Sequence, residues 1–178
     1  NQYSINSGIN FIFNNKLDFE KLIIMDSDGE DDPLMIEKLL HYSVKSEVVV
    51  AKRGTRNESK FVQILYYLYK VIFRLLTGLK LDFGNFTLIS RNVAQEIFTK
   101  SFVHYPASLL KLKYNILRIK IDKGTRIGGS SSTNFQFLVY HAIFSIMEMS
   151  EFFFFRIIKL FIVLFVLLFI LSGYILYT

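Results

Sequence analysis

The chain contains no cysteine. That excludes a disulfide framework, a thiolate zinc site and a cysteine nucleophile, and it leaves the redox compartment open. No signal peptide is visible at Asn1, and the first residue is not methionine. Because the chain starts inside what reads as a helix, it is expected to be a fragment. No internal repeat stands out, and no low-complexity tract beyond the phenylalanine run at 152–155. The net charge is +6, but the cations are scattered or gathered beside the apolar C-terminus. They are not interleaved with exposed aromatics in one stripe, so nucleic acid is not the expected partner. A basic, apolar chain of this kind points to an anionic membrane surface. At 178 residues there is room for one modest domain and a membrane segment.

What is present is organised around Lys21–Pro33, KLIIMDSDGEDDP. Leu22–Met25 is an apolar run short enough for a buried strand. It ends in Asp26, Asp28, Glu30, Asp31 and Asp32, and Pro33 then suits the first turn of a helix. In open α/β sheets ligands bind at the C-terminal ends of strands. In an extended chain Asp26 and Asp28 point the same way, and two hard carboxylates with room beside them suit Mg²⁺ or Mn²⁺ shared with substrate phosphates. Two other readings compete. One is a solvated acidic turn. The other is a calcium loop, which needs glycine at its sixth position and a helix before it; here Asp31 holds that position and a strand precedes.

Taken in order, Gln2–Asn15 places Ile5, Ile9, Ile12 and Phe13 at helical spacing. Pro33–Ser43 is a second helix and Glu47–Ala51 a second buried strand, so the two strands and their helix read as a β-α-β unit of a parallel sheet. The loop Lys52–Ser59 follows with three cations. If the two strands are neighbours, the acidic and basic loops share a rim; the bland alternative is a solvated basic loop. Lys60–Leu76 is a helix apolar on more than one stripe, either deeply buried or lying against lipid with Lys60, Lys70 and Arg74 reaching headgroups. Gly78 ends it. Leu81–Ser90 is a turn and then a strand, in which Gly84 allows close backbone approach or positive φ. Asn92–Lys100 is a short helix, His104–Lys113 another, and Asn115–Asp122 a half-exposed strand. Lys123–Thr133, KGTRIGGSSST, is either a flexible loop or one that folds over phosphates with backbone N–H groups and Arg126. Residues 134–156 read as an interfacial amphipathic helix, and 157–177 as a membrane span of roughly the 20 residues needed. Arg156 and Lys159 flank the span, which puts the preceding domain on the cytoplasmic side.

Together these stretches resemble family 2 glycosyltransferases, in the branch similar to dolichyl-phosphate mannosyltransferase and bacterial polyprenyl-phosphate sugar transferases. MDSDGEDDP resembles the family's Asp-x-Asp turn. Arg53, Arg56, Glu58 and Ser59 resemble its Arg-x-x-Arg-x-Glu-Ser pattern. Phe83–Arg91 resembles its Gly-Asp-Phe-Arg-Leu block, with Asn85 in place of the usual aspartate, and hence of a carboxylate base or ligand, and Thr87 in place of arginine. His104-Tyr105 occurs where one bacterial sub-branch carries a similar pair. Arg126–Asn134 resembles its Arg-x-x-Gly-x-Ser-Lys-x-Asn loop, with Ser132 replacing lysine.

The resemblance implies a GT-A fold, a mostly parallel sheet flanked by helices, occupying 1–133 and lacking its first strand and helix. It implies transfer of a sugar from a UDP- or GDP-sugar to a polyprenyl phosphate at the cytoplasmic face of a membrane, that of the bacterial inner membrane, for cell-envelope glycan synthesis. Mg²⁺ or Mn²⁺ would sit on Asp26 and Asp28. Catalytic positions would be Asp26, Asp28, Glu30, Arg53, Arg56 and Asn85. Arg53, Arg56, Arg126, Gly129 and Ser131 would hold phosphate or acceptor. The resemblance leaves room for a homo-oligomer. Without the upstream strand and helix, the chain as given is expected to bind nucleotide sugar only weakly. The rival expectation is a catalytically inactive, membrane-tethered relative that kept the fold.

Overall fold

The structure, a computed structural model, describes residues 2–53, 60–121 and 135–177. It is a mixed α/β fold. In chain order the elements are α1 (Gln2–Asn14), β1 (Lys21–Ile24), α2 (Met35–Tyr42), β2 (Val48–Arg53), α3 (Lys60–Thr77), β3 (Thr87–Ser90), α4 (Arg91–Lys100), α5 (Tyr105–Lys111), β4 (Ile116–Ile121), α6 (Phe135–Glu148) and α7 (Ser150–Tyr177). Ser90 caps α4, accepting from the Val93 N–H, and His104 caps α5, accepting from the Ala107 N–H.

The four strands form one sheet in the order β1-β3-β2-β4. The expectation of a mostly parallel sheet is corrected here: β3 pairs antiparallel with both β1 and β2, and only β2 and β4 are parallel. The condition that β1 and β2 be neighbours is not met, because β3 lies between them. The β-α-β pattern requires only that β1 and β2 run the same way. It is silent on a later strand inserted between them. The burial pattern explains the order: Thr87–Ile89 and Val48–Val50 are buried on both faces, as central strands are, whereas β1 is only half-buried.

Each face of the sheet has its own core. On one side Val48, Val50 and Ile89 pack with Ile5 and Ile9 of α1, Val93, Ala94 and Ile97 of α4, Tyr105 and Leu109 of α5, and Phe73 of α3. On the other, Val49, Ala51, Leu88, Ile119 and Ile121 pack on Leu39 of α2. Fully burying each such aliphatic side chain contributes about 1.5–3 kcal/mol.

Two further expectations are revised. Residues 134–156 were expected to form one helix, but the break falls at Met149, and α7 runs on from Ser150 without interruption. Met149 is fully buried, so the corner is fixed by packing. Gly84 has no positive φ, and a side chain there would meet nothing nearby. Gly78, by contrast, has a conformational task, at φ +81°, where the guanidinium of Arg156 fills the space a side chain would take. From there Arg156 Nη1 donates to the Leu75 carbonyl at 2.7 Å and supplies a cation to the C-terminus of α3.

Candidate functional site

β1, β2 and β4 run in one direction and deliver their C-terminal ends to a common rim. Register fixes the levels. Ile24 and Val50 both stand opposite Thr87, so Asp26, Lys52 and Asn85, each two residues nearer the rim, come to one level. The Ala51 N–H donates to the Phe86 carbonyl at 2.9 Å and keeps the ladder in step there. The acidic and basic ends thus share a rim, as expected for adjacent strands, although the strands are not adjacent.

Asn85 Nδ2 donates to Asp26 Oδ1 at 3.3 Å. Its own Oδ1 is buried and has no hydrogen-bond partner among the described residues. The extended run expected through Asp28 does not occur: β1 ends at Ile24 and the chain bends from Ser27, with Gly29 at φ +85°. The carboxylates organise this turn. Asp31, almost fully buried, accepts from the Asp26 N–H at 2.8 Å. Asp28 accepts from the Glu30 N–H at 3.0 Å, and Asp32 from the Leu34 N–H at 2.9 Å. These local bonds are the ones short acidic side chains make in turns. They separate Asp28, Asp31 and Asp32, which clamp the backbone, from Asp26 at the strand end.

A second centre was not singled out from the sequence. The Asp82 side chain, 2% exposed, takes Arg118 Nε at 2.8 Å, Lys52 Nζ at 3.2 Å and Lys80 Nζ at 3.6 Å. Burial pushes the Asp82 pKa up, but the hydrogen bonds and charges of Arg118 and Lys52 outweigh it and hold the carboxyl below its ordinary value. The Arg118 guanidinium also lies over the Phe83 ring, 5.7 Å from its centroid. Arg118 stands opposite Val50 in the β2–β4 register, and Lys120 opposite Lys52. Strand alternation therefore gathers these cations on one face beside the acidic end.

The third feature is a histidine pair. His104 Nε2 and His141 Nδ1 are 2.7 Å apart. His104 is buried, and burial first, then the charge of His141, lowers its pKa to about 3. One residue on, the Tyr105 hydroxyl bonds Thr87 Oγ1 at 2.6 Å; burial raises the phenol well above its ordinary pKa. The His104-Tyr105 pair thus reaches the first residue of β3, two residues after Asn85.

α6 is turned the opposite way to a helix on a water-soluble domain. His141, Ser145 and Glu148, spaced four and three apart, face the protein: Ser145 meets the Tyr69 hydroxyl at 2.8 Å, and Glu148 Oε2 accepts from the Val103 N–H at 2.6 Å and the His104 N–H at 3.2 Å. Val139, Ile143 and Met147 are exposed. α3 likewise exposes Phe61, Ile64, Leu68, Val71 and Leu75, at three- and four-residue spacing along one face. α7 is the one helix among the described residues long and apolar enough to cross a membrane, with a mean hydropathy of 2.8 and none of its apolar window buried. At 1.5 Å per residue its 28 residues span about 42 Å, more than the roughly 30 Å of a bilayer core. The excess is the N-terminal end, where Phe152 packs on the core and Glu151 pairs with Lys111 at 3.2 Å.

Of the expected site residues, the structure brings together Asp26 and Asn85. Asp28 and Glu30 lie in the same turn, joined by the bond from the Glu30 N–H. Arg53 ends β2 opposite Ile121, but its side chain lies outside the described residues, as do Arg56, Arg126, Gly129 and Ser131. The sequence carried signals for two of the features it did not yield: Asp82 is an acid between two core residues, and Arg118 and Lys120 alternate with Ile119 and Ile121. The His104–His141 contact joins positions 37 apart and left no local signal.

Searches for relatives give no family: no protein-family model matches the chain, and no curated protein matches it significantly.

Proposed function

We propose that the chain is a membrane-associated glycosyltransferase that moves a sugar from a UDP- or GDP-sugar to a polyprenyl phosphate. The observation that carries the reading is the Asp26–Asn85 pair at the rim where β1, β2 and β4 end, level with Lys52. The resemblance of the acidic turn, the Arg53–Ser59 loop and the Phe83–Arg91 block supplies the reaction class. On this reading the sheet is the part of a GT-A domain that carries the diphosphate and acceptor sites.

The donor set suits a hard divalent ion. Asp26 and Asp28 offer carboxylates, and Asn85 Oδ1 is a buried amide oxygen without a hydrogen-bond partner among the described residues. Among the described residues no three His, Asp or Glu side chains converge on one point. On this reading the substrate phosphates would have to supply the remaining ligands. Mg²⁺ or Mn²⁺ bound there would neutralise charge on the departing diphosphate. The acceptor phosphate is an anion and already nucleophilic, so it attacks the anomeric carbon without a protein base, and Asn85 in place of an aspartate is tolerated. Arg53, Arg56 and Arg126 are the proposed phosphate ligands, with Gly129 and Ser131 offering backbone and hydroxyl donors and Glu30 completing the turn. α7 crosses the bilayer, the exposed faces of α3 and α6 lie in its interface, and Arg156 and Lys159 keep the domain on the cytoplasmic side. A lipid-borne acceptor would then meet the rim from below.

One observation favours a catalytically silent, membrane-tethered scaffold: Asn85 already occupies one oxygen of Asp26. Release of UDP or GDP from nucleotide sugars separates the two. The full-length protein in nanodiscs is incubated with Mn²⁺ and a panel of UDP- and GDP-sugars, with and without polyprenyl phosphate. Metal-dependent release stimulated by the lipid is expected. No release above the protein-free rate across the panel would leave the scaffold reading.

A further inference from the structure

We infer that Lys52, Lys80 and Arg118 form the seat of a lipid-borne phosphate monoester, with Asp82 as the positioning residue that gathers them. The identity of the lipid rests on the proposed function; the residues are ones that no motif of the chain supplied. Lys52 and Arg118 come from the parallel pair β2–β4, and Lys80 from the segment between α3 and β3. All three meet one side chain: Arg118 Nε stands 2.8 Å, Lys52 Nζ 3.2 Å and Lys80 Nζ 3.6 Å from the Asp82 carboxylate oxygens. Three positive charges thus face one buried negative charge. A cluster that only fastened β2 and β4 to the segment before β3 would need one cation to balance Asp82, and each further one adds like-charge repulsion. The excess suits a phosphate monoester, which carries about −1.5 to −2 near pH 7. Lys120, exposed and opposite Lys52 in the register, adds a further cation to the same strand face.

The carboxylate is covered while the cations stay open. The Asp82 side chain is 2% exposed, against 44% for Lys52, 63% for Lys80 and 32% for Arg118. An anion can reach the three heads without displacing Asp82. Arg118 is also preset: Nη1 donates to the Ile116 carbonyl at 3.2 Å, and the guanidinium lies over the Phe83 ring. A fork held in this way loses little freedom when it meets phosphate oxygens. Among the described residues β4 is an edge of the sheet, so the approach from that side is not closed by another strand.

Position favours a lipid phosphate over the diphosphate of a nucleotide. Lys80 lies two residues beyond Gly78. There the Arg156 guanidinium packs and donates to the Leu75 carbonyl at 2.7 Å. Arg156 precedes the apolar length of α7, and α3 exposes its apolar face as far as Leu75. The cluster therefore borders the level where the chain enters the bilayer, which is where lipid phosphates lie. Asp26 follows β1 and Lys52 lies on β2, with β3 between them. Two strand spacings of about 4.8 Å put them roughly 10 Å apart. That leaves room for a sugar between a diphosphate at Asp26 and a lipid phosphate at Lys52, and it leaves the loop arginines to the donor.

The test measures binding to the full-length protein in phosphatidylcholine nanodiscs. The probes are a fluorescent short-chain polyprenyl phosphate, the same polyprenol without its phosphate, and UDP and GDP with Mn²⁺. The polyprenyl phosphate is expected to bind at least about tenfold tighter than the alcohol. Lys80→Gln should weaken it about tenfold, the lower end for a hydrogen bond to a charged group, and Lys80→Arg should restore most of the loss. Lys80 is the most exposed of the three, so Lys80→Gln should melt with wild type and bind UDP and GDP as wild type does. Lys52→Gln combined with Lys80→Gln should weaken the lipid further. Equal affinity for phosphate and alcohol, or wild-type lipid affinity in the double variant, would overturn the proposal; a lowered melting temperature beside that unchanged affinity would mark the cluster as a fastening alone. Loss of UDP and GDP affinity in place of lipid affinity would assign the cluster to the donor and overturn the lipid assignment. Lipid binding that depends on Lys52 and Lys80, in a protein that transfers no sugar, would support the phosphate seat and count against the transferase reading instead.

Discussion

Asn85 donates from Nδ2 to Asp26 Oδ1 across 3.3 Å, and its amide oxygen is buried without a hydrogen-bond partner among the described residues. An aspartate at this position would set two carboxylates side by side. Asn85→Asp is therefore expected to lower the melting temperature in EDTA, through like-charge repulsion on the order of a few kcal/mol. Mn²⁺ should return more stability to this variant than to wild type, because binding adds to the folded state alone. Scanning calorimetry with and without Mn²⁺ checks this. An equal response to Mn²⁺ in both proteins would mean that Asn85 does not face the cation site.

Asp82 gathers Arg118, Lys52 and Lys80 at the same rim. Asp82→Asn is expected to destabilise the fold at pH 7 by roughly 1.5–3 kcal/mol, the worth of a hydrogen bond to a charged group. Its pKa is lowered in the fold, so the contribution is complete above the unfolded value of about 3.9 and is lost as the pH falls through the lower folded value. Urea unfolding of wild type and variant should differ fully at pH 7 and converge in strong acid. A difference that grows with acid would contradict the assignment.

His104 works with the same sign but over a different range. Its folded pKa is about 3 against about 6.5 unfolded. Above about pH 6.5 the neutral ring carries no penalty. Below it the unfolded chain takes up a proton that the fold refuses, so stability falls toward pH 3 by as much as about 1.4 kcal/mol per pH unit. The side chains and termini facing it are His141 on α6 and, at its backbone N–H, Glu148. His104→Asn keeps a cap acceptor for α5 and should flatten this slope. An unchanged slope between pH 6.5 and 4 would exclude a neutral, buried His104.

Strand and helix positions were largely legible in the sequence because the apolar periods are strong: EVVVA became the centre of the sheet and the helix from Lys60 ended at Gly78. Strand order was not legible, since nothing local to LDFGNFTLIS says that it inserts between two earlier strands. The acidic site was half legible. Asp26 was marked by the strand end, but its partner Asn85 lies 59 residues away and entered only through a motif. In the turn, the contrast between Asp26 and the backbone-clamping Asp31 depends on one hydrogen bond, and a run of five acids hides it. α6 was read from its apolar stripe; the inward set His141, Ser145 and Glu148 is equally periodic and carries the contacts.

The chain contains no tryptophan, so a single introduced one reports its own surroundings. Ile64→Trp on α3 and Ile143→Trp on α6, both on exposed apolar faces, are each expected to emit at shorter wavelength in vesicles with anionic lipid. Both should be quenched by lipids brominated near the headgroup end of the acyl chain. Emission unchanged on reconstitution would mean that these faces meet something other than lipid.

The central claim is that Asp26 and Asp28 serve transfer of a sugar onto a lipid phosphate. It is tested most directly by counting labelled sugar that enters the organic phase. The full-length protein in nanodiscs is supplied with polyprenyl phosphate, Mn²⁺ and radiolabelled UDP- or GDP-sugar, beside Asp28→Asn. The account predicts label in an acid-labile lipid fraction for wild type, dependence on the divalent ion, and loss of at least about a hundredfold in rate for the variant, near 2.7 kcal/mol at one decade per 1.36 kcal/mol. Asp28→Asn with near wild-type transfer at saturating Mn²⁺ would contradict it.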